Sequence, residues 1–189
     1  MNPAGQLLRR AVAAGPIALL LGPGAASAED AEGARRAAVE RANWPADVVR
    51  MADDYLGRHA GSPWAPEITQ RRERAIVAAE ALRRHDVMLF RQAFVDAAAE
   101  DAHAQADARL AAIGDRPAIR RLADQAAALG SPRYVGWLQY AMRLGDDEAA
   151  YALARHYRRL DQPVLAQVYE SEALALGYEP PPALSHARK

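Results

Sequence analysis

Apolar residues recur every three or four positions along most of the chain, which is the spacing of one face of an α-helix. This pattern predicts a helix over 45–56, after a polar helix over 30–42. Apolar positions over 67–84 and 87–95 predict two more helices that form a hairpin. A polar, alanine-rich helix over 101–113 follows them.

Four of the five glycines in the second half of the chain divide it into segments, and they stand at positions 114, 130, 145 and 177. Glycine commonly ends a helix because it adopts positive φ without strain. The glycines and the caps between them predict helices over 117–129, 132–144, 146–160 and 163–177. Short turns make consecutive helices antiparallel. We therefore predict an all-α fold of antiparallel helical hairpins, stacked as a short solenoid or packed as a compact helical bundle.

The first 28 residues have the three parts of an export signal. Arg9 and Arg10 precede the small and apolar run 11–21, and no acidic residue occurs before Glu29. Residues 26–28 are Ala-Ser-Ala, the small-x-small pattern that signal peptidase accepts. We predict a signal peptide over 1–28, cleaved after Ala28, and a periplasmic or secreted mature protein.

The rest of the chain divides into segments by composition. Residues 29–60 are predicted to form N-terminal helices, and 61–66 a loop rich in proline and glycine. A helical-repeat-like domain is predicted over 67–178. Residues 179–189 form a Pro-rich tail that we expect to be disordered, because three consecutive prolines prevent a helix.

Charge and cysteine content exclude several classes of partner. The 24 basic and 24 acidic residues balance, so no net field attracts nucleic acid or an anionic membrane. Removal of 1–28 takes away two Arg and leaves 22 basic against 24 acidic residues, a net charge of −2. We expect no nucleic acid partner and no stable membrane insertion of the mature chain. The absence of Cys excludes disulfides, Cys-ligated zinc and a lipobox anchor.

The last predicted hairpin carries the most specific pattern, which consists of Leu153, Ala154, Tyr157, Ala166 and Ala173. This pattern resembles that of tetratricopeptide repeats and their Sel-one-like relatives, and it covers 146–180 well. In those families the small residues allow two helices to approach closely. We therefore expect these five residues to form the packing between the two helices.

Two positions depart from the pattern of that family. Ala150 stands where a Trp is expected, and Glu170 stands where a bulky aromatic residue is expected. Tyr169 beside it is a substitute for that aromatic residue. Upstream, Leu122 and Ala123 give a weaker copy of the same motif.

The resemblance implies that the first helix of the hairpin lines a concave surface where peptides dock. On that helix Tyr151, Arg155 and Arg158, with Arg159, are the candidate partner-binding residues. Arginine offers a fork that matches a carboxylate, so the expected partner is a protein with an acidic or C-terminal carboxylate group. The alternative is that these arginines pair within the chain, with Asp147, Glu148 or Asp161.

Candidate catalytic and metal-binding motifs are few. The five His form no metal-ligand pair at i, i+4, and Glu100-x-x-His103 is only half of a di-metal motif. No serine elbow or phosphate-binding glycine loop occurs. We therefore expect no cofactor, no metal and no enzymatic activity. The predicted function is a protein-protein interaction or scaffold module in the cell envelope; the alternative is an envelope enzyme or small-ligand binder on a non-repetitive helical bundle.

Overall fold

The computed structural model describes residues 28–179. In this range the chain forms nine α-helices and no β-strand. The helices are α1 (Ala28–Arg41), α2 (Pro45–Arg58), α3 (Ala65–Leu82), α4 (Arg91–Glu100), α5 (Ala102–Ala111), α6 (Arg116–Ala128), α7 (Arg133–Arg143), α8 (Asp147–Arg159) and α9 (Pro163–Ala175). The predicted signal peptide and tail lie outside the described residues, apart from Ala28 and Glu179.

Consecutive helices pack against each other, which confirms the predicted all-α fold. The most extensive contacts join α2 with α3, α4 with α5, α6 with α7, and α8 with α9. Smaller contacts join α1 with α2, α5 with α6, and α7 with α8. The packing of neighbouring helices is that of a helical solenoid or bundle. None of the helices in 28–179 combines the length and apolar character that a membrane crossing requires.

The hairpin predicted over 67–99 is wrong in its pairing. Helix α3 packs mainly against α2, and α4 begins only at Arg91. Between α3 and α4, Val87 and Leu89 are buried while Met88 and Phe90 are exposed. This alternation has a period of two residues, which is that of extended backbone. Residues 87–90 therefore form an extended segment, not a helical turn, and this segment adds Val87 and Leu89 to the core.

The buried residues form two cores. The smaller one joins α1, α2 and α3 with the end of α5, around Val48, Tyr55 and Ile68. The larger one extends from the end of α3 to α9 and contains an aromatic cluster in which the Phe94 ring centroid lies 4.7 Å from that of Trp137. Alanines occupy many of the remaining buried positions, so the helices approach closely.

The last four helices repeat one set of landmarks at a spacing of 31 residues. The equivalent pairs are Gly114 and Gly145, Asp115 and Asp146, Leu122 and Leu153, Ala123 and Ala154, and Pro132 and Pro163. Asp161 stands 31 residues after Gly130, and both have positive φ, 55° and 63°. Helices α6 and α7 therefore form one unit, and α8 and α9 form a second unit with the same turns.

The helix caps show how the sequence fixes each unit. The Asp115 side chain accepts a hydrogen bond from the backbone N–H of Ala118 at 2.9 Å, and caps α6. Asp146 caps α8 in the same way, through the N–H of Ala149 at 3.0 Å. A capping side chain satisfies a backbone donor that has no partner inside the helix. The predicted starts of these two helices, at 117 and 146, lie within one residue of Arg116 and Asp147, where α6 and α8 begin.

Candidate functional site

A groove runs between α6 and α8, with α7 as its floor. It consists of two depressions, of about 640 and 430 Å³, that share Asp124 and Tyr134. We call it the α6–α8 groove. Its lining includes Pro117, Arg120, Arg121, Asp124 and Ala127 from α6, Tyr134, Val135 and Leu138 from α7, and Glu148, Ala149, Ala152, His156 and Arg159 from α8.

The floor of the groove is aromatic at one end. Tyr134 is half-buried, and its ring meets the ring of His156 edge to face at 5.3 Å between centroids. Burial, and secondly the nearby Arg159, lower the pKa of His156 and so favour its neutral imidazole. The two side chains therefore present an uncharged ring pair beside a charged guanidinium. Small residues on the walls, Ala127 and Ala152, leave these rings accessible.

The two arginines on the α6 wall are neutralised by carboxylates. Arg120 Nε lies 3.4 Å from Asp146 Oδ2, and its Nη1 pairs with Glu148. Arg121 donates to both oxygens of Asp107, with Nε–Oδ2 at 3.0 Å and Nη2–Oδ1 at 2.6 Å. The Arg120 pairs link α6 to α8 across the groove and so fix its width.

Three charged residues in or beside the groove are not neutralised in this way. Arg155, Arg159 and Asp124 are exposed, and no ion pair of theirs occurs within 28–179. Arg159 lines the groove next to His156. These side chains are available to an external ligand, and two of the three would bind a carboxylate.

The predicted partner-binding residues are divided between two surfaces. Arg159 lines the α6–α8 groove, and Arg155 is exposed beside it. Tyr151 instead stacks on Tyr178, with ring centroids 4.3 Å apart, and does not line the groove. Arg158 pairs with Glu170 of α9. Only two of these four residues, Arg155 and Arg159, therefore lie in or beside the groove.

The alternative ion pairs expected for these arginines do not form. Glu148 pairs with Arg120, and no arginine of α8 pairs with Asp147 or Asp161 in the described part of the chain. Sequence reasoning also missed Tyr134, because it lies on α7, whereas the repeat motif drew attention to α8 alone. The 31-residue spacing is the signal that could have placed α6 opposite α8.

The residues of the repeat pattern lie between α8 and α9. Leu153, Ala154, Ala166 and Ala173 are buried. Tyr157 is half-buried, and its ring stacks parallel to that of Tyr169 at 5.3 Å. Tyr169, which is buried, thus supplies the aromatic contact that the sequence lacks at position 170.

The most elaborate polar cluster in 28–179 lies away from the groove and joins α1 to α2 and the 59–64 turn. Glu32 Oε1 accepts hydrogen bonds from Tyr55 OH at 2.8 Å and from Ser62 Oγ at 2.6 Å. These bonds, that from Ser62 first, lower the pKa of Glu32. A general acid needs the opposite shift. The ionised Glu32 is therefore a structural tie between the elements, and it gives no support to an enzyme.

No group of three or more potential metal ligands occurs among residues 28–179. The half-motif residue Glu100 accepts a hydrogen bond from Gln125, and His103 is exposed. Comparisons with family models, with curated proteins and with solved structures gave no match for this chain. The fold therefore places this chain in the class of all-α proteins with consecutively packed helices.

Proposed function

We propose that this chain is an exported helical-repeat protein that binds another protein and serves as an interaction or scaffold module in the cell envelope. The observation that carries the proposal is the α6–α8 groove, in which an aromatic floor at Tyr134 adjoins the guanidinium of Arg159, which has no ion pair within 28–179. An aromatic side chain supplies apolar contact area at low entropic cost, and arginine binds carboxylates with two parallel hydrogen bonds.

The resemblance to tetratricopeptide and Sel-one-like repeats supports this function. The first helix of each unit, α6 or α8, lines the groove, as the resemblance implies for a peptide-binding surface. The unit here is 31 residues, whereas tetratricopeptide repeats have a period of about 34. The likeness therefore concerns the packing of the helices and the position of the groove, not the length of the repeat.

The partner that we propose presents an acidic or C-terminal carboxylate group. Arg155 and Arg159 are the two exposed arginines of α8 without an ion pair in the described range, so a carboxylate would add a pair without breaking one. Arg158 would have to leave Glu170 to contribute. Tyr151 would extend the apolar contact from the groove toward Tyr178.

The proposed location is the periplasm or the medium, after cleavage behind Ala28. Helix α1 starts at Ala28, so cleavage behind Ala28 removes only the first residue of that helix. It also leaves Glu32 in place to bind Tyr55 and Ser62. Protein from an osmotic-shock fraction should begin at Glu29 when its N-terminus is sequenced. Protein that still begins at Met1 in the cytosol would contradict export.

The binding proposal is tested by co-purification from the cell envelope with paired variants. We expect Arg155→Ala combined with Arg159→Ala to lose proteins that co-purify with the wild type, at an unchanged melting temperature. The matched control is Arg83→Ala with Arg84→Ala, which also removes two exposed arginines close together, outside the groove. Equal recovery of every partner with both double variants would contradict the proposal.

A further inference from the structure

Helix α9 carries apolar residues on its solvent side as well as on its inner side. Ala166 and Tyr169 pack inward, whereas Val164 is 75% exposed and Val168 is 50% exposed. The two valines, Ser171 and Ala175 line a shallow depression of about 590 Å³ on the outer face, with Gln167 and Glu172 beside them. A helix that is apolar on both sides is normally covered on both sides. We call Val164, Val168, Ser171 and Ala175 the outer stripe of α9.

The 31-residue spacing shows what covers the equivalent face in the preceding unit. Val168 and Ser171 correspond to Trp137 and Tyr140 of α7. Both are buried beneath α4, where the Phe94 ring lies 4.7 Å and 6.0 Å from theirs. The face of α7 that α4 covers therefore corresponds to a face of α9 that no helix of residues 28–179 covers.

We infer that the outer stripe of α9 binds the same stripe of a second copy of this chain, in an antiparallel pair. The stripe has the spacing 4, 3, 4, which is that of the core positions of a coiled coil. An antiparallel pair centred between residues 169 and 170 places Val164 opposite Ala175 of the second copy. It also places Val168 opposite Ser171 of that copy.

This arrangement sets a large side chain against a small one in every layer. Such alternation fills the space between two helices at close approach. A parallel pair would instead place valine against valine at one end and small residues together at the other, which leaves a gap. The large and small side chains of the stripe are therefore placed so that each large one meets a small one when a second copy packs in the opposite direction.

The charges beside the stripe do not oppose this pairing. The acidic residues of α9 are Glu170 and Glu172, and both have partners within the chain. Glu170 pairs with Arg158, and Glu172 Oε1 lies 3.6 Å from Arg143 Nη2. Two copies can therefore approach without the cost of placing unpaired like charges together.

The size of the stripe limits the strength of the dimer. A helix of 13 residues is about 20 Å long, and a single helix pair buries less than the roughly 800 Å² per partner of a standard stable interface. We therefore expect a reversible dimer that forms as concentration rises. Because each chain has one outer stripe and the pairing is two-fold, assembly should stop at two copies.

Sedimentation equilibrium of the purified protein over a concentration series tests the association. The average mass should rise toward twice the chain mass and should not exceed it. Val168→Glu should remain monomeric, because it would bury a charge in the pair. Val77→Glu is the matched control, since Val77 is 57% exposed on α3, and it should dimerise like the wild type. A wild type that stays monomeric, or a Val168→Glu variant that dimerises equally, would overturn the inference.

Cross-linking tests the orientation, and it does not depend on a destabilising charge. The chain has no cysteine, so an introduced cysteine is unique. A disulfide needs Cβ atoms about 3.5–4.5 Å apart. A mixture of Val164→Cys and Ala175→Cys proteins should form a mixed disulfide dimer faster than either protein alone. Faster dimerisation of Val164→Cys alone would indicate a parallel pair and would overturn the antiparallel inference.

Two further variants separate the outer stripe from other occupants and from the groove. A chain that ends at Glu179 should dimerise as the full chain does. If dimers appear only after removal of 180–189, those residues cover the stripe in the full chain and the inference is wrong. The Arg155→Ala and Arg159→Ala double variant should dimerise normally, so failure of groove binding and failure of dimerisation are distinguishable.

Discussion

Gly136 of α7 lies directly against the backbone carbonyl of Met88, so that a Cβ at position 136 would stand 2.5 Å from the Met88 oxygen. Beside this contact, the Met88 N–H donates to Gln139 Oε1 at 2.9 Å. The extended segment 87–90 is thus attached to α7 by a close backbone approach and by a hydrogen bond from the backbone to a buried amide side chain.

We predict that Gly136→Ala destabilises the protein, because the methyl group would have to displace backbone and not a flexible side chain. Overpacking of this kind costs about 1–3 kcal/mol. Gly33→Ala is the control, since a methyl group at position 33 would have no atom within 4 Å on the exposed side of α1. Urea unfolding should show a loss for Gly136→Ala and no loss for Gly33→Ala. Equal stability of the two variants would contradict the packing of 87–90 on α7.

The Asp86–Arg143 ion pair should make stability depend on pH. Burial, the largest single cause, would raise the pKa of Asp86. The hydrogen bond from Arg143, at 2.7 Å from Nε to Oδ2, the charge of Arg143 and smaller contributions together outweigh burial and lower the pKa. A lowered pKa in the folded state stabilises the protein above the unfolded value, near pH 4, and this contribution disappears as the pH falls through the folded value.

Asp86→Asn should therefore be less stable than the wild type at pH 7, and the difference should shrink toward pH 3. Urea midpoints measured at both pH values check this. Asp53→Asn removes a more exposed carboxylate that pairs with Arg72, and it should show a smaller effect. A difference between Asp86→Asn and the wild type that stays constant with pH would contradict the role assigned to this pair.

The close approach of α8 and α9 depends on alanine at their contact. Ala166 and Ala173 of α9 are almost fully buried against α8, where Ala154 is fully buried. We expect Ala166→Leu to overpack this contact and to cost about 1–3 kcal/mol. Ala99→Leu adds the same side chain at an exposed position of α4 and should leave the melting temperature nearly unchanged. If Ala166→Leu melts with the wild type, the two helices are not packed as described.

Local sequence signals predicted most of the helices but not all of their pairings. The predicted starts at 117 and 146 agree with α6 and α8 to within a residue, because the turns and caps at Asp115 and Asp146 are local interactions. The pairing of α3 with α2 was missed, because the apolar run 87–90 is too short for its pattern to distinguish an extended segment from a helical turn. Its extended form depends on contacts with Gly136 and Gln139, which lie about 50 residues away.

The candidate site was predicted only in part for a related reason. Arg159 was selected from its position on the helix with the clearest repeat motif, and it does line the groove. Tyr134 and Asp124 belong to the preceding unit, where Val135 and Met142 stand at the positions of the small residues Ala166 and Ala173 and obscure the repeat. A groove between two units depends on both of them, so the motif of one unit could not define it.

Site-specific photo-cross-linking in the cell envelope determines whether a protein partner occupies the α6–α8 groove. A photoreactive amino acid at Ala127 or Ala152, on opposite walls of the α6–α8 groove, should yield the same discrete adduct with another protein. The same amino acid at Ala34 or Ala99, which are exposed on α1 and α4, should not yield it. We predict this adduct at the groove positions and its loss in the Arg155→Ala and Arg159→Ala double variant. Absence of any adduct from the groove, or an identical adduct from all four positions, would contradict it.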